Sequence, residues 1–203
     1  TADGKTMSGG AFHRLVLRYA ATLASLGLAP GDRLAVQVAK SPEALALYGA
    51  AAAAGVVFLP LNTAYTAAEV AYFVGDSGAK LLIGDAAQAG SLQSVADGAG
   101  AKFLTMDADG SGSFADAAAR QPDDFRPVDR GAEDLAAFLY TSGTTGRSKG
   151  AMLSHANLLS NAEVLVAEWR FTADDVLLHA LPIFHTHGLF VASNVVFLSG
   201  GSM

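Results

Sequence analysis

The sequence predicts an α/β fold, a layered, mostly parallel β-sheet flanked by helices. Three observations carry that expectation. Helix-period segments with recognisable caps alternate with short apolar runs. Those runs are nearly continuous in apolar character, as strands covered on both faces of a parallel sheet are. The composition, 51% hydrophobic and 16% charged over 203 residues, is apolar enough to fill a core and excludes a disordered chain.

The elements follow in order. Ser8 caps a first helix whose apolar face is Phe12, Leu15, Val16, Tyr19, Leu23 and Leu26, with Gly27 as its stop. Pro30-Gly31-Asp32 turns the chain into a strand over 34–38. Ser41-Pro42-Glu43 starts a second helix that ends near Gly55, and 56–59 is a short buried strand. Thr66 and Glu69 form a capping box for the third helix, which closes around 75–78. A strand at 80–83, a helix through Leu92 and Val95, and a strand at 102–105 complete this series. Residues 107–134 carry eight acidic side chains against three arginines and read as a solvated connection around one short helix. The strand pattern resumes at 135–141, and a second apolar stretch follows at 151–153.

Composition narrows the function. A net charge of −6 argues against nucleic-acid binding, which needs a basic stripe. Zero cysteines exclude disulfide scaffolds, Cys-ligated zinc and thiol catalysis, and fit a cytoplasmic protein. Two stretches, 44–68 and 176–203, hold no formal charge. The first is broken by Gly49, Gly55 and Pro60, and the densest part of the second, 189–198, is too short to span a membrane about 30 Å thick. The apolar run at 195–198 has no polar element to shield it, which leads us to expect further chain covering it, or self-association through that edge.

One segment stands out. Six of the seven residues from Thr141 to Arg147 are Gly, Ser or Thr, and Lys149 follows. Glycines let successive N–H groups converge on an anion, hydroxyls donate to phosphate oxygens, and lysine adds a mobile positive charge. The spacing is not that of a Walker A loop, since two residues separate Gly143 from Gly146 and no lysine follows directly. On residue types alone the segment is equally a polar turn between two strands. A weaker match, Gly110-Ser111-Gly112-Ser113-Phe114-Ala115, fits a dinucleotide-loop pattern, but its flanking acids oppose pyrophosphate and its helix is short. The pair His185 and His187 lacks a third ligand and makes a poor metal site, so no metal site is assigned.

The order of residues in Thr141-Ser142-Gly143-Thr144-Thr145-Gly146-Arg147-Ser148-Lys149-Gly150 resembles the phosphate-loop signature of the adenylate-forming superfamily. That superfamily comprises acyl-CoA synthetases, luciferases and the adenylation domains of peptide synthetases. Ser148 stands where most members have proline. The strand and turn at 57–62, the helix start Ser154-His155-Ala156-Asn157-Leu158 and the segment 181–189 resemble family motifs as well. Within the family, 143–154, 169–172 and 179–194 look most similar to malonyl-CoA synthetases.

The resemblance implies that 1–203 is an incomplete N-terminal AMP-binding domain with its phosphate loop at 140–150, the remainder of that domain and the small lid domain being absent. It implies a ligase that joins a malonate-like carboxylate to CoA through an acyl-adenylate, with ATP, Mg²⁺ and CoA as cofactor and co-substrates. By the same analogy Thr141, Ser142, Gly143, Thr144, Thr145, Gly146 and Lys149 hold the ATP phosphates. His185, His187 and Gly188 belong to the acyl or pantetheine pocket, and Lys149 and His185 are the catalytic candidates. The family's Tyr-Gly-x-Thr-Glu segment, ribose-binding aspartate, carboxylate-binding arginine and lid lysine do not occur here, so adenylation by these residues alone is expected to be negligible. The rival expectations are a non-enzymatic nucleotide- or partner-binding module and an adenylating domain with a carrier-protein acceptor.

Overall fold

The computed structural model describes residue 4 and residues 6–141 and 148–203. Seven α-helices and six strands are arranged in three layers: α1 (Gly9–Ser25), β1 (Arg33–Gln37), α2 (Pro42–Ala54), β2 (Val57–Pro60), α3 (Ala67–Ser77), β3 (Leu81–Gly84), α4 (Ala89–Ala99), β4 (Lys102–Thr105), α5 (Ser113–Ala118), β5 (Leu135–Thr141), β6 (Lys149–Ser154), α6 (His155–Trp169) and α7 (Asn194–Ser199) among the described residues. A π-helical turn, His187–Ser193, leads into α7.

The helix starts obey their caps. The Ser8 hydroxyl accepts from the Ala11 N–H at 3.2 Å, and Ser41 accepts from Ala44 at 3.0 Å. Thr66 with Glu69 and Ser154 with Asn157 each form a reciprocal capping box. The last confirms Ser154-His155 as a helix start, and burial together with the nearby Arg130 charge holds the His155 imidazole below its usual pKa range.

The sheet order is β4-β3-β1-β2-β5-β6, parallel except for the antiparallel β5–β6 pair. Alternate residues of each central strand feed opposite layers. Leu34, Val36, Phe58, Leu81 and Ile83 pack beneath α1, α2 and α5, whereas Ala35, Leu59, Leu61 and Leu82 pack beneath α3 and α4. This two-sided cover is why the strands read as continuous apolar runs.

The connection 107–134 is largely solvated, with one apolar side of its short helix buried. Phe114 is fully buried with its ring edge-on to Tyr19 at 5.0 Å, Ala118 is buried beside it, and the Val128 N–H donates to Ala53 O at 2.8 Å. The acids stay outside while one apolar side of α5 closes the α1 layer. In the glycine-rich stretch before α5, the backbone N–H of Asp107 is taken by Ser111 O and that of Ser111 by Asp109 Oδ1. A β-carbon on Gly112 would lie 2.5 Å from Thr105 O, so this glycine serves a close chain crossing.

Large apolar side chains remain exposed on 152–203: Leu178 is 90% and Val176 77% accessible, and Trp169 and Met152 are also exposed. Among the described residues no helix is long and apolar enough to cross a membrane.

Candidate active site

Strands β1, β2, β3 and β5 run the same way, so their carboxyl ends share one edge of the sheet. Two features gather there. The first is the β5–β6 hairpin. Its register pairs Tyr140 with Gly150 and Thr141 with Lys149, which makes Thr141 and Lys149 the two gateposts of the intervening loop. Both are exposed, and the Thr141 hydroxyl donates to Lys149 O at 3.3 Å. Ser142, Gly143, Thr144, Thr145 and Gly146 lie outside the described residues.

Helix α3 braces both stems of the hairpin. The Tyr140 hydroxyl donates to Asp76 Oδ2 at 2.6 Å, and the Tyr72 hydroxyl donates to Ser148 O at 2.9 Å. The Tyr140 ring packs 4.5 Å from Phe73 and 6.1 Å from Tyr72, centroid to centroid. Burial, then the hydrogen bond to the Asp76 carboxylate and its charge, push the Tyr140 phenol well above its usual range, so it remains a donor at every physiological pH.

The second feature is the segment 179–193. Ile183, Leu189 and Phe190 are buried against α2, where the Tyr48 ring lies 5.6 Å from Phe190 and its hydroxyl donates to Asn194 Oδ1 at 3.1 Å. His185 and His187 are exposed, and Gly188 is buried. The π-helical turn begins at His187 and His185 lies in the bend before it, so the pair does not sit on an extended strand. Among the described residues no three His, Asp or Glu side chains gather as a metal site. A β-carbon on Gly188 would collide with the Pro182 carbonyl oxygen, so the turn from Pro182 to Gly188 closes only around glycine.

Beneath the second feature lies a cavity of about 430 Å³, lined by Gln37, Lys40, Asp85 and Gln88 on the sheet side and by 180–184 above. It occupies the point where connections leave β1 and β3 in opposite directions, the usual ligand crevice of an open α/β sheet. Gln37 is 98% buried and donates to Asn62 O at 2.9 Å and Tyr65 O at 3.0 Å.

The structure therefore brings Thr141 and Lys149 together, and His185, His187 and Gly188 together. Among the described residues no hydrogen bond or ion pair joins Lys149 to the second group. Sequence reasoning passed over Tyr72, Asp76, Lys40 and His179. The first two were submerged in an apolar helix pattern. Lys40 carried a usable signal, standing directly after a buried strand and before a capped helix, where the crevice of an α/β sheet is built.

Comparison with known proteins gives these features a family. Among relatives, a feruloyl-CoA synthase of Amycolatopsis sp is 35% identical over 200 residues, covering 98% of this chain and 39% of its own length. A malonate–CoA ligase of Arabidopsis thaliana is 30% identical over 168 residues, covering 82% of this chain and 28% of its own. Among solved structures, MatB from Rhodopseudomonas palustris superposes with a TM-score of 0.97 both as the apo protein and with ATP bound, at 53% and 54% identity. Each covers 100% of this chain and 40% of the MatB chain, so the present sequence spans about two-fifths of the MatB chain and of the feruloyl-CoA synthase. Across residues 1–203 it matches the AMP-binding enzyme family, and to that family the chain belongs.

Proposed function

We propose that this chain is the incomplete N-terminal part of an AMP-binding domain, whose remainder and small lid domain lie outside it, and that the complete enzyme is an acid–CoA ligase acting on malonate or a methylmalonate. The observation that carries this reading is the hairpin: a Gly/Ser/Thr-rich loop gated by Thr141 and Lys149 at the carboxyl edge of a parallel sheet. The 54% identity to ATP-bound MatB supports the nucleotide, and the likeness to a malonate–CoA ligase supports the carboxylate.

In the first half reaction a carboxylate oxygen attacks the α-phosphorus of Mg-ATP, and the bond to pyrophosphate breaks. The Lys149 ammonium, the Thr141 hydroxyl and the loop residues Ser142, Gly143, Thr144, Thr145 and Gly146 hold the β- and γ-phosphates. Their donors neutralise charge that would otherwise repel the incoming anion and that builds up on the leaving group. Mg²⁺ enters as part of the nucleotide substrate. In the second half reaction the CoA thiolate attacks the acyl carbon, and AMP leaves. His185 and His187 offer imidazole N–H groups toward the acyl or pantetheine end, and the buried Gly188 permits the turn that presents them. On this reading 1–203 alone is inactive, the complete enzyme is cytoplasmic, and its exposed apolar surface self-associates when 1–203 is isolated.

The test is carboxylate-dependent ATP–pyrophosphate exchange followed by product analysis in the full-length enzyme. Malonate-dependent exchange with a CoA thioester as product is expected. Exchange that ends in a carrier-protein thioester would replace CoA as acceptor, an alternative favoured by 33% identity over 198 residues to a fatty acid–[acyl-carrier-protein] ligase of Streptomyces coeruleorubidus. Nucleotide binding without exchange would leave a binding module.

A further inference from the structure

The loop after β1 is stitched to the histidine segment. Lys40 Nζ donates to the carbonyl of His179 and, at 2.9 Å, to that of Leu181. The His179 ring then reaches forward over nine residues: its Nε2 lies 2.9 Å from Gly188 O and 3.1 Å from Ser193 Oγ. Ser193, fully buried, donates its hydroxyl to the same Gly188 carbonyl at 3.1 Å. Burial, together with the Lys40 charge, holds the His179 imidazole below its usual range, so the ring is neutral at physiological pH and its Nε2–H serves as the donor to Gly188. Lys40, His179, Gly188 and Ser193 thus form one hydrogen-bonded chain from the sheet edge to the π-helical turn, and His185 and His187 sit within the span it closes.

We propose that Lys40 and His179 are positioning residues that set the place of His185 and His187 relative to the parallel sheet, and so govern affinity for the carboxylate rather than for ATP. The proposal rests on the ligase reading for its substrate but not for its geometry. Two arguments favour positioning over mere stability. Buried Ile183, Leu189 and Phe190 already hold the segment to the core, so the polar chain adds registration to an anchored element. Lys40 is exposed, yet its ammonium is directed at two carbonyls of one turn, an arrangement that fixes direction more than it buries area. The gateposts Thr141 and Lys149 ride on β5 and β6, and among the described residues the hydrogen bonds of Lys40, His179 and Ser193 go to 179–193 and not to those strands.

The experiment compares Lys40→Met, Lys40→Arg and Ser193→Ala in the full-length enzyme carrying this segment. Lys40→Met keeps the apolar stem and removes the donors, and it is expected to raise KM for malonate about tenfold in pyrophosphate exchange while KM for ATP stays within about twofold. Lys40→Arg, which retains donors, is expected to restore most of that loss, and Ser193→Ala to raise the same KM by a smaller factor. An unchanged malonate KM, or an equal rise in both KM values, overturns the proposal. If Lys40→Met fails to fold, Ser193→Ala decides by the same criterion. Wild-type enzyme that shows no malonate-dependent exchange overturns the ligase reading alone. The positioning claim is then read from the histidine ring ¹³Cε1 signals, with His185 and His187 expected to shift in Lys40→Met or Ser193→Ala, and unshifted signals overturn it.

Discussion

The Tyr72 hydroxyl donates to the Ser148 carbonyl at 2.9 Å, so helix α3 holds the residue that enters β6 after the Gly/Ser/Thr-rich segment, across 76 residues of sequence. Ser148 stands where the resembling family most often has proline, a residue with a fixed φ. A hydrogen bond from α3 supplies restraint at the position where this chain lacks the ring. Tyr72→Phe removes a bond worth about 0.5–1.5 kcal/mol and is expected to raise KM for ATP about 2- to 12-fold. Steady-state kinetics at saturating malonate would check this, and an unchanged KM would show the loop to be set by its own backbone.

Lys149 is exposed and pairs across the hairpin with Thr141, so its side chain contributes little to folding. Lys149→Ala in the full-length enzyme is expected to lower pyrophosphate exchange by about 10²–10³, the cost of losing a charge-stabilising donor, with Tm nearly unchanged. A large fall in Tm with exchange retained would make the lysine structural.

Acid stability should be traceable to Asp32. Its carboxylate accepts from the Ala29 N–H at 2.8 Å and from Lys80 Nζ at 2.8 Å. Burial by itself would raise its pKa, but these hydrogen bonds and the charges of Lys80 and Arg33 outweigh it and hold the group below its usual range. A depressed folded pKa stabilises above the unfolded value of about 3.9, and the contribution is lost as pH falls through the folded value. Asp32→Asn is expected to cost about 1 kcal/mol at neutral pH, the difference between a charged and a neutral acceptor for the Ala29 N–H, because Lys80 is largely solvated and adds little. Urea unfolding from pH 7 to pH 3 should show the variant and wild type converging toward the acid end.

Phe114 tests the buried side of the acidic connection. Its ring is wholly inaccessible and meets Tyr19 edge-on. Phe114→Ala is expected to destabilise by about 3–5 kcal/mol, as a large core deletion does. A change below about 1 kcal/mol on the same denaturation assay would make that side of the helix as solvated as the rest of the connection.

Much of the fold was legible in the sequence because its signals are local. Ser8, Ser41, Thr66 and Ser154 satisfy N–H groups only three residues away, so cap and helix start appear together in the chain. The central strands are covered on both faces, and their apolar runs record that directly. The connection 107–134 is the solvated stretch around one short helix that its charges indicate, and only the burial of Phe114 and Ala118 on one side of that helix was hidden, because a charge count averages over both sides.

The proposed phosphate loop is a local signal of the same kind, since an anion cradle is made from consecutive residues whose types and order carry the chemistry. The Lys40–His179 chain was not. Lys40 finds its acceptors 139 and 141 residues later, and Tyr72 and Asp76 meet the hairpin only because the sheet order sets α3 against β5. By itself the sequence determined the helix caps and the strand runs, all interactions closed within a few residues, and the order of residue types from Thr141 to Gly150. Only the tertiary structure decided which side chains hold that loop and the histidine turn in place, because a hydrogen bond across the sheet edge depends on how the strands are ordered, and no short stretch of sequence contains that order.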